Sequence, residues 1–229
     1  RIPANPKVIQ VVEEPGQYGG NWRRAYNGIS DRWGPTKLLE ERIVEFEINP
    51  EDGSISVEPN WADEFTVSED AREFTFRIRE GLKWSDGVPV TTEDIRFWYE
   101  DIFQTTLFRE TPHQNLTTNG TPLEIEIADD YTFMVKFADP YPLFPQILAK
   151  ESSGSPGLTR DSFLLPAHYL KDFHPNYVTE EELAAKAEEY GVEGWQNLWD
   201  DSGPVQSWWL NPDLPVISAW KIETPPPSP

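Results

Sequence analysis

The chain has 229 residues with 10 Trp, 12 Phe and 8 Tyr, an aromatic content that disordered chains lack and a length that permits a buried core. Its formal net charge of -21 at pH 7 is spread along the sequence and repels nucleic acid and anionic lipid. Cysteine is absent, which excludes disulfides, thiolate metal sites and Cys nucleophiles, and no run reaches the roughly 18 apolar residues of a membrane helix.

Lys7 to Val12 reads as a first strand, followed by a loop bearing Gly16, Gly19 and Gly20. Gly19-Gly20 lacks the spacing and the Lys-Ser/Thr pair of a phosphate cradle, so it is a turn. Asn21 to Tyr26 reads as a second strand, and Asn27 to Pro35 leaves it as a polar, aromatic loop. Leu38 to Glu45 reads as a short helix and Glu45 to Ile48 as a strand. Asn49-Pro50-Glu51-Asp52-Gly53 invites a calcium reading, but Ile48 and Pro50 occupy ligand places and Pro59 stands where the closing Glu belongs. It is a hairpin-type turn.

Phe74, Phe76 and Ile78 alternate with Glu73, Thr75, Arg77 and Arg79, which predicts a strand with one apolar face. Ser85-Asp86-Gly87 carries turn chemistry. Thr91 with Asp94 then predicts a capping box and Val90 with Ile95 a hydrophobic staple. Ile95, Trp98, Tyr99, Ile102 and Phe103 form one helical stripe. Thr105 to Pro122 is a Thr/Asn-rich link, in which Asn115-Leu116-Thr117 and Asn119-Gly120-Thr121 match the glycosylation pattern by accident of composition. Leu123, Ile125 and Ile127, a turn at Asp129-Asp130, and Tyr131, Phe133, Val135 and Phe137 predict a hairpin.

Ser152 to Gly157 is loop, and Ser153 stands where a nucleophile elbow needs Gly, so the hydrolase reading fails. Thr179 with Glu182 and Val178 with Leu183 predict a second capped helix that stops at Gly191, and Trp195 to Trp199 a further short one. Asn211-Pro212-Asp213-Leu214-Pro215 leads to a final strand, Ala219 to Ile222. His168 and His174 are six apart, and His113 is remote from both, so no pair shares one helix face as zinc ligands would. The sequence implies no metal and no cofactor. With 40 Asp and Glu residues some pair always suits glycosidase geometry, and sequence singles out none. Asp86 and Asp94 have turn and cap roles, and Trp84 reads as a core or interdomain anchor. Tyr26, Trp33, Trp208 and Trp209 are left as aromatics suited either to lining a groove or to packing.

The stretch from Phe76 to Asp94 resembles the signature of family 5 extracellular solute-binding proteins, the peptide/nickel-type receptors of ABC importers. The match holds at Phe76, Arg79, Gly81, Lys83, Trp84, Ser85, Asp86, Gly87, Pro89, Thr91 and Asp94. Further similarity runs through Gly53, Pro59, Ala62 and Ser68-Glu69-Asp70, with Trp61 and Phe65 where the family has Leu and Trp. It continues through Asp129, Asp130, Tyr131, Thr132, Pro140, Tyr141 and Pro142, and through Leu165-Pro166-Ala167-His168-Tyr169-Leu170, with Ala167 replacing Lys.

The resemblance implies an α/β lobe of the type II periplasmic-binding-protein class, with an inserted, mainly antiparallel α+β subdomain. Residues 1–44 and 164–229 would form lobe I, truncated before lobe II, and 45–163 the insertion; the chain is then the N-terminal part of a longer receptor. The implied function is capture of a solute, first an oligopeptide, between two lobes, and delivery to the transmembrane subunits of an ABC permease. The implied setting is the periplasm or the outer face of the cytoplasmic membrane, for a monomer with no nucleic-acid partner. In the family the loop after the early strand faces the solute, which maps onto Asn27, Ser30, Asp31, Arg32 and Trp33. An oligosaccharide receptor, a carbohydrate-active enzyme and a non-transport adhesion or chaperone-like module stay open as alternatives.

Overall fold

The computed structural model describes residues 3–8, 14, 16–17, 19–23, 41–108, 114–150, 163–199, 205 and 211–224. Strands β1 (Val44–Ile48) and β2 (Ile55–Pro59) form an antiparallel hairpin with Ile48 opposite Ile55. Its turn is the one expected at Asn49 to Gly53: Gly53 takes φ 72° and donates its N–H to the Asn49 carbonyl at 2.8 Å. The helix expected from Leu38 to Glu45 is corrected in its described part. Residues 41–43 are irregular, Val44 opens β1, and the Ile43 carbonyl accepts from Asn60 and Ala62. Pairing across to residues 58–62 has overridden a pattern that suits either period.

The centre is a four-stranded antiparallel sheet in the order β3-β4-β8-β7, with β3 at Ala62–Val67, β4 at Glu73–Ile78, β7 at Glu124–Ile127 and β8 at Thr132–Lys136. The period-2 reading of β4 and of the β7–β8 hairpin holds. Phe74, Phe76 and Ile78 are fully buried and lie beside Val135 and Phe133 of β8. Phe76 stacks on Phe133 at 5.5 Å and on Phe65 of β3 at 6.0 Å, so the Phe65 departure is a swap within one aromatic cluster. The opposite face is wet and charged: Arg77 pairs with Asp63 at 2.9 Å, and Lys136 with Glu126 at 2.6 Å. Asp129 Oδ1 closes the β7–β8 turn by accepting the Tyr131 and Thr132 N–H groups, both at 2.8 Å.

Helix α1 (Thr92–Phe97) starts with the expected box: the Thr91 side chain and Asp94 satisfy each other's backbone N–H groups. The stripe then continues as a π-turn, Trp98–Phe103, rather than as α-helix. Trp98 and Ile102 are buried, and Trp98 meets Phe163 edge-on at 4.8 Å. Helix α2 (Phe144–Lys150) sets Phe144 against Phe74 and Phe137 at 5.0 and 4.8 Å. Each such ring, fully buried, stabilises by roughly 1.5–3 kcal/mol.

Within the link expected before Pro122, two short strands, β5 (Thr117–Thr118) and β6 (Thr121–Pro122), pair around Asn119-Gly120, whose φ values are 47° and 78°. That is hairpin-turn chemistry, and Asn119 also donates to Asp139 Oδ2 at 2.8 Å. Beyond residue 162 come α3 (Ala167–Leu170), α4 (Glu180–Glu189) with its Thr179–Glu182 box, and α5 (Trp195–Leu198). Gly191 stops α4 at φ 69°. The strand expected at Ala219 to Ile222 does not form. The Ser218 hydroxyl closes a bend on the Trp220 carbonyl at 2.7 Å, and Pro212 and Pro215 lead into it without donors.

An amino-terminal strap crosses the sheet end. Ala4 N–H donates to the Glu80 carbonyl at 3.0 Å, while Arg79, almost fully buried, donates to the carbonyls of Asn5 and Asn60. Lys7 reaches Glu45, Glu47 and the Pro59 carbonyl. Lys7 and Val8 lie in no ladder; the remainder of the first expected strand, 9–12, is outside the described residues.

Candidate functional site

The signature loop is a buried polar knot. Trp84 is fully buried, and its indole Nε1–H donates to Asp94 Oδ2 at 3.1 Å. The same oxygen accepts the Thr91 N–H at 3.2 Å, and Asp94 Oδ1 accepts the Ala167 N–H at 3.0 Å from 73 residues along the chain. Only 4% of Asp94 is exposed. Burial pushes its carboxyl up to about 6, against three donors that favour the ionised form.

Asp86 holds the turn by accepting the Val88 N–H at 3.1 Å and accepts His168 Nε2–H at 2.7 Å. Partial burial acts upward on the Asp86 carboxyl, but the His168 and Val88 hydrogen bonds outweigh it and hold it below the usual range. Ser85 Oγ accepts the Val216 N–H at 3.2 Å. Every polar side chain of Trp84-Ser85-Asp86 is therefore engaged with Asp94 of α1, with the 163–218 side of the chain or with the turn itself. The loop fastens.

His174 is the second buried group. It sits among the rings of Phe97, Phe108, Tyr177 and Trp199, at 5.3–5.9 Å between centroids. Nε2–H donates to the Asp101 carbonyl at 3.2 Å, and Nδ1 accepts the Asn176 N–H at 3.2 Å. Asp101 lies in the π-turn, and its carboxylate accepts Asn176 Nδ2 and the Tyr177 hydroxyl at 2.8 and 2.7 Å. Burial pushes the imidazole below its ordinary value, over the opposing bond to Asp101. His168 and His174 thus serve separate networks, and among the described residues no three acidic or histidine side chains are placed to hold a metal.

The five residues expected to face a solute, Asn27, Ser30, Asp31, Arg32 and Trp33, lie outside the described residues, as do Tyr26, Trp208 and Trp209. Immediately before them the chain forms an exposed corner. Trp22, 62% exposed, meets Trp220, 37% exposed, edge-to-face at 6.2 Å. With its amide turned to satisfy both partners, Asn21 Nδ2 donates to the Gly20 carbonyl at 3.2 Å and to Glu223 Oε2 at 3.3 Å. Indole faces, an amide and a carboxylate at one place can stack on a ring and bond its polar substituents. No spacing rule connects Trp22 to Trp220, so the sequence carries no signal for this contact.

Comparison with known proteins follows the same lines. The family model for bacterial extracellular solute-binding proteins, family 5, matches residues 56–196, more than half of the chain. A solved structure of an oligopeptide-binding protein OppA superposes with a TM-score of 0.78 at 36% identity, covering 98% of this chain and 32% of that one. The periplasmic alpha-galactoside-binding protein of Rhizobium meliloti (strain 1021) is 26% identical over 77% of this chain and 27% of its own length. The periplasmic oligopeptide-binding protein OppA of Escherichia coli (strain K12) is 28% identical over 38% of this chain and 18% of its own. The chain therefore spans about a third or less of the proteins it resembles. Its α/β fold with antiparallel sheets is that of periplasmic binding proteins.

Proposed function

The chain belongs to the bacterial extracellular solute-binding proteins, family 5, and from that premise we propose that it supplies part of an extracytoplasmic receptor for an ABC importer. The receptor holds its solute between two lobes that close on a hinge and passes it to the permease. Residues 1–44 and 164–229 belong to the first lobe and 45–163 to an inserted subdomain, fastened together by the signature loop. The protein acts as a monomeric binding module rather than an enzyme, outside the cytoplasmic membrane.

The leading solute is an oligopeptide. The observation that carries this is the likeness to an oligopeptide-binding protein along 98% of the chain at 36% identity. Asn27, Ser30, Asp31, Arg32 and Trp33 are the proposed contacts from this lobe, a few residues along the sequence from Trp22 of the exposed Trp22–Trp220 corner. An oligosaccharide is the second reading, favoured by the alpha-galactoside-binding relative matched over 77% of the chain.

Half a cleft gives up most of the enclosure on which affinity depends. Titration calorimetry with short oligopeptides is expected to detect weak binding by the 229-residue chain and tight binding by a receptor-length polypeptide that contains it. Full-strength binding by the 229-residue chain would sink the two-lobe reading.

A further inference from the structure

A carboxylate of the signature turn, Asp86, another from the first turn of α1, Asp94, and one histidine from a distant segment meet in the signature knot. His168 bonds Asp86 directly at 2.7 Å, and its positive form also acts on Asp94, whose carboxylate holds the neighbouring Ala167 N–H. The two arms respond to protons in opposite ways. We propose that Trp84, Asp86, Asp94, Ala167 and His168 form a proton-operated clasp between the signature loop and residues 163–170, tightest in mild acid and loosened as pH rises. Asp94 and His168 are its positioning residues: neither needs to touch a solute, and both fix how the inserted part meets the rest.

Asp94 is packed between elements that contribute few other charges. The loop faces it with the Trp84 indole, its own helix with the Thr91 N–H, and α3 with the Ala167 N–H and His168. Glu93, its neighbour in the first turn of α1, is occupied outward by Lys171 at 2.7 Å and Arg96 at 3.5 Å. The β7–β8 turn meets the helix start through backbone alone, the Asp130 carbonyl accepting Thr92 N–H and the Asp129 carbonyl its hydroxyl.

An opened clasp returns Asp94 to water, where a carboxyl titrates near about 3.9, whereas in the closed one it titrates near 6. The closed form therefore binds the extra proton between those values and gives up that advantage as pH rises through 6. The Asp86 arm runs the other way. Its carboxyl is held below the usual range, so its bond to His168 contributes in full above about pH 4 and is lost as pH falls through that lowered value. Both arms favour closure only in the window between.

The test uses the indole N–H resonance of Trp84 in the folded chain, assigned by its disappearance in Trp84→Phe. That resonance is expected to titrate with a midpoint near 6, because its acceptor is Asp94 Oδ2. The titration should vanish in Asp94→Asn and move to higher pH in His168→Gln, which removes the positive charge facing Asp94. Hydrogen-exchange protection of the Ala167 amide, corrected for intrinsic rate, should fall between pH 5 and 8 by about tenfold. A Trp84 resonance flat from pH 4.5 to 8, a midpoint unmoved in His168→Gln, or protection independent of pH would each overturn the clasp. Should Asp94→Asn fail to fold, the His168→Gln midpoint and the wild-type protection still decide.

Discussion

His174 and Asp94 are both buried and titratable, yet burial gives them opposite pH signatures. His174 is held neutral, with Nδ1 receiving an N–H where a second proton would otherwise sit. An unfolded imidazole gains its proton near about pH 6.5 and the folded one resists it, so stability falls as pH drops below that value. Asp94 is the reverse: folding favours its protonated form, so its contribution is present below about pH 4 and declines up to about 6. A carboxyl raised that far in so buried a place contributes about 3 kcal/mol of pH-dependent stability. Denaturant unfolding at pH 7 and pH 5 separates them. His174→Gln is expected to lose less stability than the wild type over that step, since the acid-sensitive imidazole is gone; an equal loss in both proteins would contradict the assignment.

At the scale of elements, most of the secondary structure was legible because its determinants are local. Thr91 with Asp94 and Thr179 with Glu182 lie three residues apart, and each pair forms the reciprocal bonds its spacing predicts. Phe74, Phe76 and Ile78 alternate, and they bury together. The failures are equally physical. Leu38, Leu39, Ile43 and Val44 fit a helical period, but Ile43 and Val44 are claimed by pairing with residues 59–62, which no local pattern announces. The Asn119-Gly120 turn had a local signal, a two-residue hairpin pair, that the surrounding Thr/Asn-rich composition obscured. The π-turn after Phe97 had none; its Asp101 carbonyl serves the imidazole of His174, far along the chain. The capping boxes permit a quantitative check. Thr179→Ala removes the acceptor for the Glu182 N–H at an exposed helix start and should cost about 1 kcal/mol in unfolding free energy. A variant as stable as the wild type in urea melts would show that α4 owes nothing to its cap.

At the scale of the molecule, the signature loop tells from sequence alone what kind of chain this is, and the fold explains why such a short run is so specific. Gly87 takes φ 97° to close the turn, Trp84 and Asp94 meet inside the knot, and Ser85, Asp94 and Asp86 reach Val216, Ala167 and His168. The polar side chains of the run thus meet partners from segments far along the chain. The residues proposed to face a solute rest on resemblance alone, since binding loops are chosen by a ligand and not by packing. The Trp22–Trp220 corner could not have been read at all, because its two halves come from opposite ends of the sequence.

The proposed receptor takes an oligopeptide as its solute. The most direct test is native mass spectrometry of a receptor-length protein containing this chain, purified gently enough to retain its ligand. The expected result is added masses that fragment into short oligopeptides, and loss of that added mass when residues Asn27 to Trp33 are replaced by Gly and Ser. A single discrete mass that fragments as a saccharide would contradict it.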